Sequence, residues 1–168
     1  MTERRWSTWL IPDHRYRSQY KSIISEYSKK YSTKTFDPHV TLFGRLSIDP
    51  KSTFNFFQEL VSDQKSFELG IVGLAKGKPP WMSFYIALEK NSVIKRFQNK
   101  IDRFFAIHRD YEFTPHLSLA YGSIDIDSNN LEKISLDEKI GFSSVALVST
   151  SDKIDEWKLI KKFNLKSK

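Results

Sequence analysis

The sequence predicts an α+β fold of two pseudo-symmetric lobes, with largely antiparallel sheets flanked by helices and a cleft between the lobes. Three observations predict it. The phrase Phe36-Asp37-Pro38-His39-Val40-Thr41-Leu42 returns as Phe113-Thr114-Pro115-His116-Leu117-Ser118-Leu119. Each copy follows a long stretch of helical periodicity, so the two halves match in architecture as well as in wording. No Pro/Gly/Ser-rich linker separates them, so the 168 residues read as one domain, 1–168, of two intertwined lobes around a shared core.

The elements follow in order. Residues 6–11 read as a first strand, closed by Pro12-Asp13. Between residues 14 and 32, Tyr16, Tyr20, Ile23, Ile24, Tyr27 and Tyr31 recur at spacings of three and four, which predicts an amphipathic helix. The first motif strand covers 39–46. Asp49-Pro50 with Ser52 announces a second helix with an apolar face of Phe54, Phe57, Leu60 and Val61. Residues 67–75 and 82–89 read as two strands around a basic turn, Lys76-Gly77-Lys78-Pro79-Pro80. A third helix runs from Asn91-Ser92 to Ile107, with Val93, Ile94, Phe97, Ile101, Phe104 and Phe105 inward. The second motif strand covers 116–121. A short polar helix is expected over 129–138, then strands over 142–149 and 157–163.

Composition narrows the classes. With 39% hydrophobic, 14% aromatic and 28% charged residues, the chain is globular rather than disordered. It contains no apolar run long enough to span a bilayer and no secretory leader pattern, so no membrane association is expected. The absence of cysteine excludes disulfides and thiolate metal sites and fits a cytoplasmic setting. A net charge of +7 favours anionic partners such as nucleotides and RNA. The Lys-rich stretch from Lys161 to Lys168 supplies part of it and reads as a solvated end.

Each repeated phrase sets an imidazole two residues before a hydroxyl, and on a strand such residues share a face. The proline ahead of each histidine biases the chain toward extended geometry. Two such pairs facing each other across a cleft would make a symmetric phosphate site from His39, Thr41, His116 and Ser118. The competing reading is two similar core strands of a pseudo-symmetric fold with no chemistry. His14 and His108 lack the motif and fall at helix ends, where a partial charge favours a cation; neither is a catalytic candidate.

With these two motifs the chain resembles the two-histidine (2H) phosphoesterase superfamily. Within it, the chain is most similar to the cyclic phosphodiesterases that hydrolyse ADP-ribose 1″,2″-cyclic phosphate and nucleoside 2′,3′-cyclic phosphates. The resemblance runs from Trp6-Ser7-Thr8-Trp9-Leu10-Ile11-Pro12, through Pro38-His39-Val40-Thr41, to Pro115-His116-Leu117-Ser118-Leu119-Ala120-Tyr121-Gly122. The tyrosine five residues after the second histidine also follows the family's pattern. The chain departs from some plant relatives in lacking cysteine, which bears on stability and not on chemistry.

The resemblance implies a metal-independent enzyme without cofactors, acting on a small cyclic-phosphate nucleotide or an RNA 3′ end, as a monomer. RNA-end 2′,3′-cyclic and 2′–5′ oligonucleotide phosphodiesterases share the motifs, and a non-catalytic nucleotide- or RNA-binding module could keep the same fold. Opening a cyclic phosphate needs a base and an acid on opposite sides of phosphorus, both titrating near neutrality, which suits histidine. Thr41 and Ser118 would donate to the non-bridging oxygens. By resemblance His116 is the base and His39 the acid. Tyr121, Trp9 and Trp81 are the candidates for stacking on a base or ring, with a core role as the alternative for the two tryptophans. Lys76 and Lys78 are candidates for raising the local potential.

Overall fold

In the computed structural model, which describes residues 4–127 and 134–168, the elements run β1 (Trp6–Pro12), α1 (His14–Tyr31), β2 (Val40–Leu46), α2 (Phe54–Ser62), β3 (Phe67–Lys76), β4 (Phe84–Leu88), α3 (Ser92–Phe105), β5 (His116–Ala120), β6 (Lys139–Ser149) and β7 (Lys158–Asn164). The strands form one antiparallel sheet in the order β1-β2-β5-β4-β3-β6-β7, and β6 also pairs with β1. Six strands therefore close on themselves. β6 manages this by length. Its first residues, 139–142, pair with β3, residues 144–149 on that same edge pair with β7, and the opposite edge carries β1.

A single register marks the pseudo-symmetry. β2 and β5 meet at one pair, Val40↔Leu117, the residues that directly follow the two motif histidines. Outward from that pair, β2-β1-β6 on one side repeats as β5-β4-β3 on the other. The helices are exchanged between the halves. α1 leads from β1 into β2 but also packs against β5, and α3 leads from β4 into β5 but packs against β2. Each half thus closes the other's core.

The helix faces account for this packing. α1 buries Tyr20, Ile24 and Tyr27. α3 buries Ile94, Phe97, Ile101 and Phe105, and its start is capped by the Asn91 side chain, which accepts from the Val93 and Ile94 amides. These side chains join Trp6, Phe43, Phe57, Phe84 and Phe142 in one hydrophobic core. A second, smaller cluster of Trp9, Ile11, Ala146 and Val148 lies on the other face of β1 and β6, as the two-residue period of strands requires. Among the described residues no helix is long and apolar enough to cross a membrane.

The structure departs from several sequence expectations; Phe104 of α3, expected inward, is exposed, and the helix ends at Phe105. Of the polar helix expected over 129–138, residues 134–138 form no helix, and the remainder lies outside the described residues. β6 starts at Lys139 rather than 142 because Lys139, Ile140 and Gly141 find partners in β3, a long-range pairing that local composition does not encode. The segment announced by Asp49-Pro50 opens with a 3₁₀ turn, Pro50–Thr53, capped by the Asp49 carboxylate accepting from the Lys51 amide, before α2 begins.

Candidate active site

The antiparallel register at Val40↔Leu117 sets His39 across from Ser118, and Thr41 across from His116, when it is continued one step either way. On the outer sides, Thr41 is paired with Trp9 of β1, and Ser118 with Tyr85 of β4. Each motif strand is therefore backed at the same position by an aromatic residue. Trp9 stacks flat on the His39 ring, 3.5 Å between centroids and 9° between planes. Tyr85 meets His116 edge-on at 5.3 Å.

The two imidazoles are held alike. Nδ1 of His39 is 2.7 Å from the carbonyl oxygen of Asp37, and Nδ1 of His116 is 2.8 Å from that of Thr114. A carbonyl only accepts, so each Nδ1 carries the proton and each neutral ring keeps its lone pair on Nε2. Local extended geometry before each histidine, set by Pro38 and Pro115, brings the carbonyl two residues back within reach of the ring.

Their surroundings differ. His39 is 3% exposed, sandwiched by Trp9 and edged by Phe36 and Trp157. Burial pushes its pKa down to about 4, against a weaker upward pull from the Asp37 carbonyl; the neighbouring His116 pushes it further down. His116 is half-buried, and burial lowers its pKa as well. Burial thus disfavours the charged form of both rings, and His39 is the more deeply buried of the two.

Six of the seven candidate residues border one cavity of about 600 Å³: Trp9, His39, Thr41, Trp81, His116 and Tyr121. Ser118 does not. It is buried, and its hydroxyl is hydrogen-bonded to the Tyr121 hydroxyl, which in turn lies 3.4 Å from Nε2 of His39. With that nitrogen unprotonated, the tyrosine O–H donates to it. Burial holds the Tyr121 hydroxyl well above the usual phenol range, so it stays a donor.

The aromatic candidates also change place. Tyr121 and Trp9 are 7% and 6% exposed. Phe36 lies against the Tyr121 ring at 4.2 Å, and His39 covers a face of Trp9, so both are walls of the site rather than open platforms. Trp81 is partly exposed. Its turn is tied to Tyr121 by the amide of Gly122, which donates to the Pro80 carbonyl. Gly122 has φ +102°, a conformation that suits glycine.

Trp157, which the sequence reading left as an ordinary strand residue, proves central. It lines the cavity and contacts Trp9, His39, Trp81 and Tyr121, with its indole N–H donating to the Ser151 carbonyl. Only the pairing of β6 with β7 brings it there. Arg5, Arg45 and Arg109 border the same cavity, together with Glu112 and Asp152. Neither Lys76 nor Lys78 does; the Lys76 ammonium donates to the Ile126 carbonyl. Among the described residues no three His, Asp or Glu side chains converge to hold a metal ion.

This fold and this symmetric histidine pair define a two-histidine phosphoesterase. The family model described as the 2′-5′ RNA ligase superfamily matches residues 12–153, and the chain belongs to that family. Its class is accordingly that of the phosphoric diester hydrolases. A Staphylococcus saprophyticus protein provisionally named a phosphoesterase is 22% identical over 165 residues, covering 93% of this chain and 96% of its own. A Staphylococcus aureus protein with the same provisional name is 24% identical over 93% of this chain and 96% of its own. Among solved structures, the protein TT0787 of Thermus thermophilus superposes with a TM-score of 0.67 at 15% identity, covering 97% of this chain and 98% of its own. E. coli LigT in apo form gives 0.66 at 14% identity, over 97% and 98%. LigT has also been crystallised with 3′-AMP, 13% identical over 97% and 98%, with a TM-score of 0.62.

Proposed function

We propose that the chain opens nucleoside 2′,3′-cyclic phosphates or ADP-ribose 1″,2″-cyclic phosphate without a metal, using its two motif histidines as base and acid. The observation that supports this most is the symmetric pair of imidazoles. Both have Nδ1 committed to a carbonyl two residues back, which leaves proton exchange to Nε2, and both border one cavity.

The deeper burial of His39 favours it as the base, the reverse of the roles the resemblance implies. His39, the more deeply buried of the pair, is neutral and takes a proton from water as its oxygen attacks phosphorus in line, the water displacing the Tyr121 hydroxyl from Nε2. His116 acts in its imidazolium form and delivers the proton on Nε2 to the departing sugar oxygen as the phosphorus–oxygen bond breaks. Each partner of such a pair contributes about 10²–10⁴-fold. Thr41 donates to a non-bridging oxygen as charge builds there. Ser118 acts at one remove, through Tyr121. The reading takes residues 1–168 as one domain in which each lobe supplies one histidine. It takes the active form as a monomer, and the absence of cysteine is in keeping with a cytoplasmic setting.

A second reading, an RNA-end 2′,3′-cyclic or 2′–5′ oligonucleotide substrate, is favoured by the three arginines at the cavity. The 3′-AMP complex of LigT supports an adenine nucleotide in either case. A non-catalytic binding module is disfavoured, since both histidines and both hydroxyls are retained.

The test is phosphorus NMR of the products after incubation with 2′,3′-cyclic AMP, ADP-ribose 1″,2″-cyclic phosphate and 2′–5′ oligoadenylate. Conversion of a cyclic phosphate to a monoester is expected. Cleavage of oligoadenylate alone would transfer the assignment to the second reading, and no turnover of any of the three would overturn the first.

A further inference from the structure

Beyond the histidine pair, one end of the cavity carries chemistry that the hydrolysis of a lone cyclic phosphate does not use. Arg5, Arg45 and Arg109 line the catalytic cavity and also a smaller adjoining one of about 350 Å³. The smaller cavity is completed by Leu46, Ser47 and His108 and has no acidic side chain in its wall. The carboxylates nearby, Glu112 and Asp152, border only the catalytic cavity.

Arg45 is held there by a device in the backbone. The β1–β2 register shifts between Trp6 and Thr8, and within the bulge Arg45 adopts φ +58°. That is a left-handed conformation that a non-glycine residue rarely adopts. The surroundings fix it. The Arg45 amide donates to the Ser7 hydroxyl at 3.4 Å, and Nη1 of Arg109 donates to the carbonyls of Gly44 at 3.0 Å and Arg45 at 3.3 Å. Among the described residues no carboxylate pairs with the guanidinium of Arg45 or of Arg109. A strained bulge that sets a guanidinium without a carboxylate partner beside two others, in a pocket without acid, is arranged for an anion.

We infer that this arginine cluster is a subsite for a second phosphate of the same substrate, on the 5′ side of the ribose that carries the reacting phosphate. Arg45 lies four residues beyond Thr41 on β2, about 13 Å along an extended strand at 3.3 Å per residue. A long arginine side chain shortens that offset to the reach of a neighbouring phosphate group. The chemistry fits either a phosphodiester, as in an oligonucleotide end, or a diphosphate. The inference rests on the phosphodiesterase reading for the position of the reacting phosphate.

Calorimetric titration with product-like ligands tests it, alongside the opening of 2′,3′-cyclic AMP. The ligands are adenosine 3′-monophosphate, adenosine 3′,5′-bisphosphate, a 3′-phosphorylated adenosine dinucleotide, and adenosine 3′-phosphate bearing a 5′-diphosphate. The bisphosphate is expected to bind at least about tenfold more tightly than the monophosphate, as charge-assisted bonds to phosphate imply. In Arg45→Gln, whose side chain tolerates the left-handed backbone no worse than arginine does, that ratio is expected to fall about tenfold, and Arg45→Lys should restore part of it. The dinucleotide and the diphosphate tell a phosphodiester from a diphosphate as the favoured second group, and a gain from either one supports the subsite. If the enzyme opens 2′,3′-cyclic AMP and binds the monophosphate but gains nothing from a second phosphate, the subsite is wrong and the phosphodiesterase reading stands. A gain that persists unchanged in Arg45→Gln also overturns the subsite. Failure to open the cyclic phosphate and to bind any of the ligands overturns both.

Discussion

Replacing His39 by asparagine should flatten the acid dependence of stability, and the size of the effect follows from where the ring sits. Asparagine keeps a donor for the Asp37 carbonyl but does not titrate. In the folded protein the ring's pKa is pushed from its ordinary 6.5 down to about 4, chiefly by burial. With 3% of the residue exposed, solvent screening takes little from the energy. The sign follows from which state binds the proton more readily. Below pH 6.5 the unfolded chain takes up a proton that the folded protein refuses, so stability is whole above pH 6.5 and is lost as pH falls toward 4. The displacement corresponds to about 3 kcal/mol, of which about 2 kcal/mol is gone by pH 5. The assay is urea unfolding at intervals from pH 7.5 to 4.5 for the parent and the variant, taking the difference between them. Contributions from His116 and from paired carboxylates, such as Glu68 with Lys139 at 2.6 Å, are common to both proteins and cancel. The parent is expected to lose about 2 kcal/mol more than His39→Asn between pH 7.5 and 5. Parallel decline of the two proteins would refute the claim that the site holds His39 neutral by desolvation.

The same burial shapes catalysis. Because kcat/KM reports the free enzyme and both histidines are depressed, its maximum should lie on the acid side of pH 6.5, with an acid limb near 4 where His39 gains a proton. A plateau from pH 7 to 9 would contradict this. His39→Ala and His116→Ala should each lower kcat by about 10²-fold or more; circular dichroism checks the fold, and a folded variant with parental kcat removes that histidine from the chemistry. Tyr121→Phe keeps the packed ring but deletes the donor to His39. It should change kcat about tenfold with little change in KM, whereas a parental kcat would remove that hydroxyl from the chemistry. Activity should survive exhaustive EDTA, and recovery only on adding back Mg²⁺, Mn²⁺ or Zn²⁺ would end the metal-free reading.

Much of this molecule is written in short stretches of chain. The helix faces around Tyr20, Ile24, Phe97 and Ile101 follow from side-chain periodicity, which reflects only how each backbone repeats, and the first strand, read over 6–11, from its stop at Pro12-Asp13. The doubled phrase around His39 and His116 signals the symmetry because both copies carry the same proline, the same imidazole and a hydroxyl two residues on. Even the shared tautomer is local, since the bond from each Nδ1 reaches a carbonyl only two residues away.

What depends on residues distant in sequence was decided by the tertiary structure alone. Trp157 enters the site because β7 pairs with β6. The two copies of the motif differ in environment because a tryptophan stacks on one histidine and a tyrosine meets the other edge-on. Desolvation sums over every neighbour brought in by the fold, so nearly identical phrases are buried to different depths. The repeat likewise treats Thr41 and Ser118 as equivalents, yet Tyr121 closes over one and not the other. The arginines come from three separate segments and meet only where the bulge at Arg45 and the loop after α3 converge. Sequence wording specifies which groups are present, and the exposure of each is a property of the whole chain.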